Sequence, residues 1–359
     1  MNAPQRIGTS RTAGFSLIEL MVGLVIGMIA IIVVMQVFKL SEGSKRTTTG
    51  GDDAQISGVI ALNTLQRDIR QAGHGVSAFA LIGCDVALRA GVTLRAIAPV
   101  TINPVNAAGV PTIPVGDTNT DTLLIVYGNS AGSVEGDPVR AQLVTTQYTV
   151  NTASSFVVGD HIIAEPASRP SPCELTLEKL TAAPVEPNVV VPTGVTGMVN
   201  GTLFNLGTEP QILAYAVRDG ALTVCDYMVN DCSKLNDLSV NPPVVRWLPI
   251  GDNIVSLRAT YGRDQTGAMD AVVDIYDQTK PTSECEWARV SAIRLALAAR
   301  SAQVEKEAVS TVMSPDWAAS AVAPINLSNN RTWAQHRYRV FETTVPLRNM
   351  AWQGVHAGC

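Results

Sequence analysis

The sequence predicts an α+β fold: a long N-terminal α-helix, membrane-spanning in its first half, packed on a large, mainly antiparallel β head. An apolar block with one charge occupies residues 15–38. An amphipathic helical pattern follows and stops at Gly73 and Gly75. From about Leu81 onward, short apolar runs alternate with turns rich in Gly, Pro and Asp, as strands and their connections do.

The composition agrees with this reading. Of 359 residues, 46% are hydrophobic and only 16% charged, and no long stretch has a disordered composition. That length makes one large domain or two ordinary ones. The net charge of −5 argues against a nucleic-acid partner, which needs a basic patch.

Residues 1–14, MNAPQRIGTSRTAG, are polar, with Arg6 and Arg11 as their charges. Residues 15–38, FSLIELMVGLVIGMIAIIVVMQVF, carry Glu19 alone. As a helix this block is about 36 Å long at ~1.5 Å per residue, enough to cross a bilayer. Lys39, Lys45 and Arg46 follow, so both flanks are basic and charge alone does not orient the span. The six cysteines, all after the block, favour export of the remainder into an oxidising compartment. A cleaved secretory signal fits poorly, because KLSEGSKR after Phe38 offers no small-residue cleavage site.

Glu19 is the anomaly. A carboxylate in an apolar membrane helix costs ~2.5–3.5 kcal/mol at the bilayer centre and calls for a partner. The free α-amino group of Phe15 on a neighbouring subunit is such a partner, provided the chain is cut between Gly14 and Phe15. Gly14-Phe15-Ser16-Leu17-Ile18-Glu19 resembles the class III signal of type IV prepilins. The resemblance implies cytoplasmic cleavage after Gly14 by a prepilin peptidase, N-methylation of Phe15, and a role for Glu19 in docking into a filament. Gly23 and Gly27 form a G-x-x-x-G, a spacing that lets helices approach closely. The resemblance also makes them candidates for local helix melting on assembly. Many relatives use a proline there, whereas this chain has none between Pro4 and Pro99.

Residues 39–75 read as a hinge and an amphipathic continuation of the helix. Gly43, Gly50, Gly51 and neighbouring threonines weaken the helix over residues 39–53. Ile56, Val59, Ile60, Leu65 and Ile69 then define an apolar face, with Arg67, Asp68 and Arg70 opposite. Residues 76–359 are the β head. Residues 121–128 read as a buried strand and 154–166 as two short strands around Gly159-Asp160. Residues 212–227 read as a hairpin turning at Asp219-Gly220. Residues 254–262 alternate and pair with 271–277, residues 290–301 fit a strand or a helix, and 338–349 form a last strand.

The Tyr261-Gly262 ending, RVSAIRLALAARS and RYRVFETTVPLRN are similar to the PilW family of minor pilins. With the N-terminal signal, this resemblance covers both ends of the chain and leaves residues 81–210 unassigned. It implies a structural subunit that primes pilus assembly, sits in a tip complex and supports adhesion and twitching motility. The implied partners are other minor pilins, the major pilin, the inner-membrane assembly platform and a large tip adhesin. The implied location is the bacterial inner membrane with a periplasmic head, then the surface pilus. A minor pseudopilin of a type II secretion system shares most of these features. A membrane-anchored periplasmic enzyme is a third reading.

The chemistry-bearing motifs are sparse, and no catalytic residue, metal ligand or cofactor is expected. Residues 128–132, GNSAG, match the nucleophile-elbow pattern, but glycine and proline follow where a helix is required. Asp264, Asp270 and Asp274 lack the spacing of a calcium loop and read as a polar turn. Cys84, Cys173, Cys225, Cys232, Cys285 and Cys359 contain no C-x-x-C pair. Six cysteines allow 15 pairings; Cys225 and Cys232 are a candidate disulfide because they are near in sequence.

Overall fold

The structure is a computed structural model that describes residues 14, 16–265, 267, 269–351 and 359. The chain divides into two compact units, Met1–Gly50 and Gly51–Cys359. One α-helix, α1 (Leu17–Gln71), contributes to both. It stays helical through residues 39–53, the stretch expected to hinge. An interior glycine costs only about 1 kcal/mol and no proline blocks the chain.

Besides the end of α1, the described residues of the larger unit form 17 strands, two short α-helices and two 3-10 turns. The strands are β1 (Asp85–Arg89), β2 (Val92–Leu94), β3 (Val100–Ile102), β4 (Leu123–Tyr127), β5 (Asp137–Val144) and β6 (Gln147–Val150). Next come β7 (His161–Glu165), β8 (Glu174–Lys179), β9 (Asn188–Val190), β10 (Thr202–Gly207), β11 (Gln211–Arg218) and β12 (Ala221–Asp226). The last are β13 (Leu248–Asp252), β14 (Ile254–Arg263), β15 (Ile275–Asp277), β16 (Val290–Arg300) and β17 (Tyr338–Pro346). Helix α2 (Glu284–Ala288) precedes β16 and α3 (Arg348–Ala351) follows β17.

These strands make an eight-stranded sheet (β2-β1-β8-β7-β10-β5-β6-β9), a five-stranded sheet (β13-β12-β11-β4-β3) and a four-stranded sheet (β15-β14-β16-β17). All the pairings are antiparallel except β1 with β8. Cys84 and Cys173 each precede one strand of that parallel pair, so they meet at the same end and form a disulfide with Cα atoms 4.8 Å apart.

Two strands read as continuous apolar runs because both of their faces are covered. In β4, Leu123, Ile125 and Tyr127 join one core while Leu124 and Val126 join another. In β16, Ile293, Leu295, Leu297 and Ala299 face the first core, whereas Ala296 and Ala298 meet Trp317, Ile325 and Leu327. Central pairing between β14 and β17 therefore resolves residues 290–301 as strand. The Asp219-Gly220 hairpin turns with positive φ at both residues, 53° and 73°, the type I′ requirement.

Two expectations are corrected. Residues 154–158 are not a strand: a 3-10 turn spans Ala153–Ser155, and Val157 N–H donates to Asp160 Oδ2 at 2.9 Å. That side chain folds the segment into a tight turn, so one strand, β7, forms rather than two. The buried face of α1 is also different. Of the expected face, Leu65 and Ile69 are buried, but Ile56, Val59 and Ile60 are 60%, 41% and 54% exposed, and Ala54, Ala61, Asp68 and Ala72 are buried in their place. Small side chains bring the helix close: the Ala61 methyl lies 3.3 Å from where a Cβ on Gly251 would stand. At Gly58 the Phe341 ring occupies the space that a Cβ would fill.

Candidate functional site

In the first part of the smaller unit, up to Phe38, α1 is apolar on all sides, with Glu19 as its one charge. Its segment Leu17–Lys39 has mean hydropathy 2.9 and no buried residue. A helix uniformly apolar around its circumference needs lipid or other helices as its surroundings. Ser16 opens it: its carbonyl accepts from Glu19 N–H at 3.0 Å and Leu20 N–H at 3.1 Å. Glu19 is exposed in the first turn, where the helix dipole favours a carboxylate. Gly23 and Gly27 lie one turn apart with nothing within 4 Å of either Cβ position, leaving a shallow notch. Gly14 is exposed; Phe15 lies outside the described residues, as does the rest of the expected leader. Gly14, Glu19, Gly23 and Gly27 thus sit in or beside one helix, and the described residues enclose no cleft around them.

In the larger unit, α1 is tied to the five-stranded sheet by a buried carboxylate. Asp68 Oδ1 accepts from Tyr127 Oη at 3.2 Å and Arg67 Nε at 3.1 Å, and its Oδ2 accepts from Tyr215 Oη. Burial, and then the Asp68 charge, push both phenols above their ordinary pKa, so they remain donors. Two caps extend this anchor. Gly73 N–H donates to Val126 O at 2.9 Å, and Asn349 Nδ2 donates to the carbonyls of Gln71 and Ala72 at 3.0 Å. Gly73 has φ of 88°, which ends the helix.

A second buried carboxylate joins the five- and four-stranded sheets. Asp121 Oδ1 accepts from Arg258 Nη1 and Asn103 Nδ2, and its Oδ2 from Ala259 N–H at 2.9 Å and Gln278 Nε2 at 2.7 Å. Its pKa is nonetheless raised, because desolvation outweighs Arg258 and the hydrogen bonds. His336 is buried against the Ser301 carbonyl at 2.9 Å, and desolvation lowers its pKa, which keeps the ring neutral. These are packing groups, each enclosed by its own partners.

Asp264, Asp270 and Asp274 do not converge on one point. Asp264 Oδ2 accepts from Asp270 N–H at 2.6 Å and Ala271 N–H at 2.9 Å, its Oδ1 from Arg289 Nη1 at 3.2 Å. Asp274 Oδ2 accepts instead from Gln265 N–H at 2.8 Å. They staple a turn. Ser130 of the GNSAG segment follows β4, but the chain runs on in loop to β5, so the strand–helix elbow is not formed. The Ser130 hydroxyl is buried and makes no hydrogen bond among the described residues.

All six cysteines are paired. Besides Cys84–Cys173, Cys225 bonds Cys232 with Cα atoms 5.8 Å apart, and Cys285 bonds Cys359 with Cα atoms 5.1 Å apart. The last bond fixes Cys359 beside α2, where its carbonyl accepts from Arg289 Nε at 3.1 Å and Nη2 at 2.5 Å. Sequence spacing suggests a candidate for the short loop alone; the other two close intervals of 89 and 74 residues. In the chain-entropy account the longest loop is worth about 4–5 kcal/mol and the Cys225–Cys232 loop about 2–3 kcal/mol.

Two regions of the chain match known families. Residues 9–35 match the prokaryotic N-terminal methylation motif, and residues 231–349 match the type IV pilus-assembly protein W family. The first contains Gly14, Phe15, Glu19, Gly23 and Gly27; the second holds the whole four-stranded sheet and most of its packing. No curated protein matches the chain. Among solved structures, a type IV-like pilin from Thermus thermophilus is similar at 17% identity, over 54% of this chain and 86% of that one, with a TM-score of 0.23.

Proposed function

We propose that this chain, which carries the pilin N-terminal methylation motif and a PilW-type C-terminal region, is a minor pilin that primes assembly of a type IV pilus. Its N-terminal helix is an anchor before assembly and a filament-packing element afterwards. The observation that carries this reading is the combination at the N-terminus. An all-round apolar helix interrupted by one carboxylate in its first turn suits a lipid environment poorly and a helical bundle with an amino-group partner well. In this reading, peptidase cleavage after Gly14 exposes the Phe15 amine, which is then methylated, and Glu19 of an incoming subunit pairs with such an amine. Gly23 and Gly27 allow close helix approach.

The head stays in the periplasm of a bacterium while the helix is in the inner membrane, and moves to the surface as the filament grows. Three disulfides suit that route through oxidising compartments. The partners are the other minor pilins, the major pilin, the assembly platform and a large tip adhesin, with a place in the tip complex. Adhesion and twitching motility follow from the pilus. The family match over residues 231–349 favours a pilus over a type II secretion pseudopilus.

Deleting the gene is expected to reduce surface pili at least several-fold and to abolish twitching, with restoration by the wild-type gene in trans. Pili of normal number and length in the deletion strain would overturn the priming role. Loss of protein secretion with intact pili would favour the pseudopilin reading.

A further inference from the structure

A cleft of about 520 Å³ opens between three segments far apart in sequence: residues 116–118, the β11–β12 turn, and residues 326–330. Arg300, at the end of β16, lies in it beside Val255 and Tyr338. Its guanidinium rests on Gly220, with Nη2 3.1 Å from where a Cβ on that residue would stand. The positive φ of Gly220, 73°, is what a type I′ turn needs, and the missing side chain leaves room for the arginine.

The cleft is rich in uncommitted donors. Arg300 Nε is buried without a hydrogen-bond partner, and no ion pair is made by its guanidinium among the described residues. Neither acid of the cleft is ion-paired with it among the described residues: Asp117 Oδ1 and Oδ2 accept instead from the N–H groups of Asp219 and Gly220 at 3.0 and 2.9 Å. Tyr338 lines the same wall and burial raises the pKa of its phenol, so it is present as a donor. Asn330 spends its carbonyl oxygen on Thr332, leaving its amide group to donate.

A planar, unpaired guanidinium with neutral donors around it matches a group with two coplanar acceptor oxygens. Asp117 and Asp219 on the rim disfavour a dianion and leave a monoanion as the better fit. We propose that this cleft binds a carboxylate-bearing ligand, with Arg300 pairing the carboxylate and Tyr338 donating to the same group. The volume admits either a single sugar-acid ring or an acidic amino-acid side chain with its backbone. This inference concerns the head alone and stands apart from the assembly role.

Calorimetric titration of the detergent-solubilised full-length protein tests it, with two monoanionic probes, galacturonate and the α-amide of N-acetylglutamate, and galactose as the neutral control. Saturable binding of at least one acid, absent for galactose, is expected. Arg300→Gln should weaken it at least tenfold, Arg300→Lys less, and Tyr338→Phe about threefold, with unchanged thermal midpoints. The acid that binds more tightly identifies the source, saccharide or peptide. No binding of either acid to the wild type, or binding that survives Arg300→Gln, would overturn the proposal. If Arg300→Gln fails to fold, Tyr338→Phe and Arg300→Lys decide by the same criterion.

Discussion

Replacing Glu19 with alanine is expected to remove the protein from the pilus while leaving it in the membrane. Two energies act with opposite sign on the two locations. In lipid, the ionised side chain is a cost of up to ~2.5–3.5 kcal/mol, so alanine makes the anchored state more favourable. In the filament packing we propose, Glu19 pairs with a neighbouring terminal amine, and removing one member of a buried ion pair costs about 3–5 kcal/mol. At 1.4 kcal/mol per factor of ten, incorporation should fall by about a hundredfold or more. Immunoblots of sheared pili and of the membrane fraction read both effects: near-absence from the first, a normal or increased amount in the second. Glu19→Asp should retain part of the incorporation. Equal incorporation of Glu19→Ala and wild type would contradict the pairing role.

Replacing Asp68 with alanine is expected to destabilise the larger unit by about 2–5 kcal/mol, roughly 1–3 kcal/mol for each buried phenol left without an acceptor. Asp68 is fully buried and receives Tyr127, Tyr215 and Arg67. Without it, two phenolic hydroxyls inside the protein lose their acceptor, and α1 loses its polar tie to β4 and β11. Asp68→Asn keeps the shape and one acceptor oxygen and should cost less, about 1–3 kcal/mol. The combination of Asp68→Leu with Tyr127→Phe and Tyr215→Phe should recover much of the loss, because no polar atom is then left unpaired. Urea denaturation of the full-length protein in detergent measures all three. A loss below about 1 kcal/mol for Asp68→Ala would contradict this account of the anchor.

The same residue shows why part of the fold was illegible in sequence. Asp68 sits between Arg67 and Arg70 and reads as one of a charged, solvent-facing trio. Its burial depends on two tyrosines 59 and 147 residues away. The misassigned face of α1 has the same origin. Ile56, Val59 and Ile60 have the right period, but the head meets the helix through Ala61 and Gly58, where close approach outweighs apolar bulk. Strong local signals translated well: the Asp219-Gly220 turn, the β14–β15 pairing and the last strand depend on neighbours or on plain alternation, although that strand ends at Pro346 rather than Asn349, where α3 has begun. For β16, periodicity left strand and helix open. The Trp317 cluster that covers its second face comes from a loop with no regular pattern.

Candidate sites divide in the same way. The N-terminal signal is linear, so Gly14, Phe15, Glu19, Gly23 and Gly27 can be read from one segment. The Arg300 cleft is assembled from three distant segments and gives no sequence signal beyond a strand-terminal arginine. Cys84 and Cys173 become neighbours only through the β1–β8 pairing.

The most direct test of the central claim is the N-terminal mass of the protein isolated from its native membrane. A mature chain that begins at Phe15 and carries an added N-methyl group is the expected result. It would establish pilin-type processing at the position the sequence marks. A chain that still begins at Met1, in cells whose prepilin peptidase is active, would contradict the account.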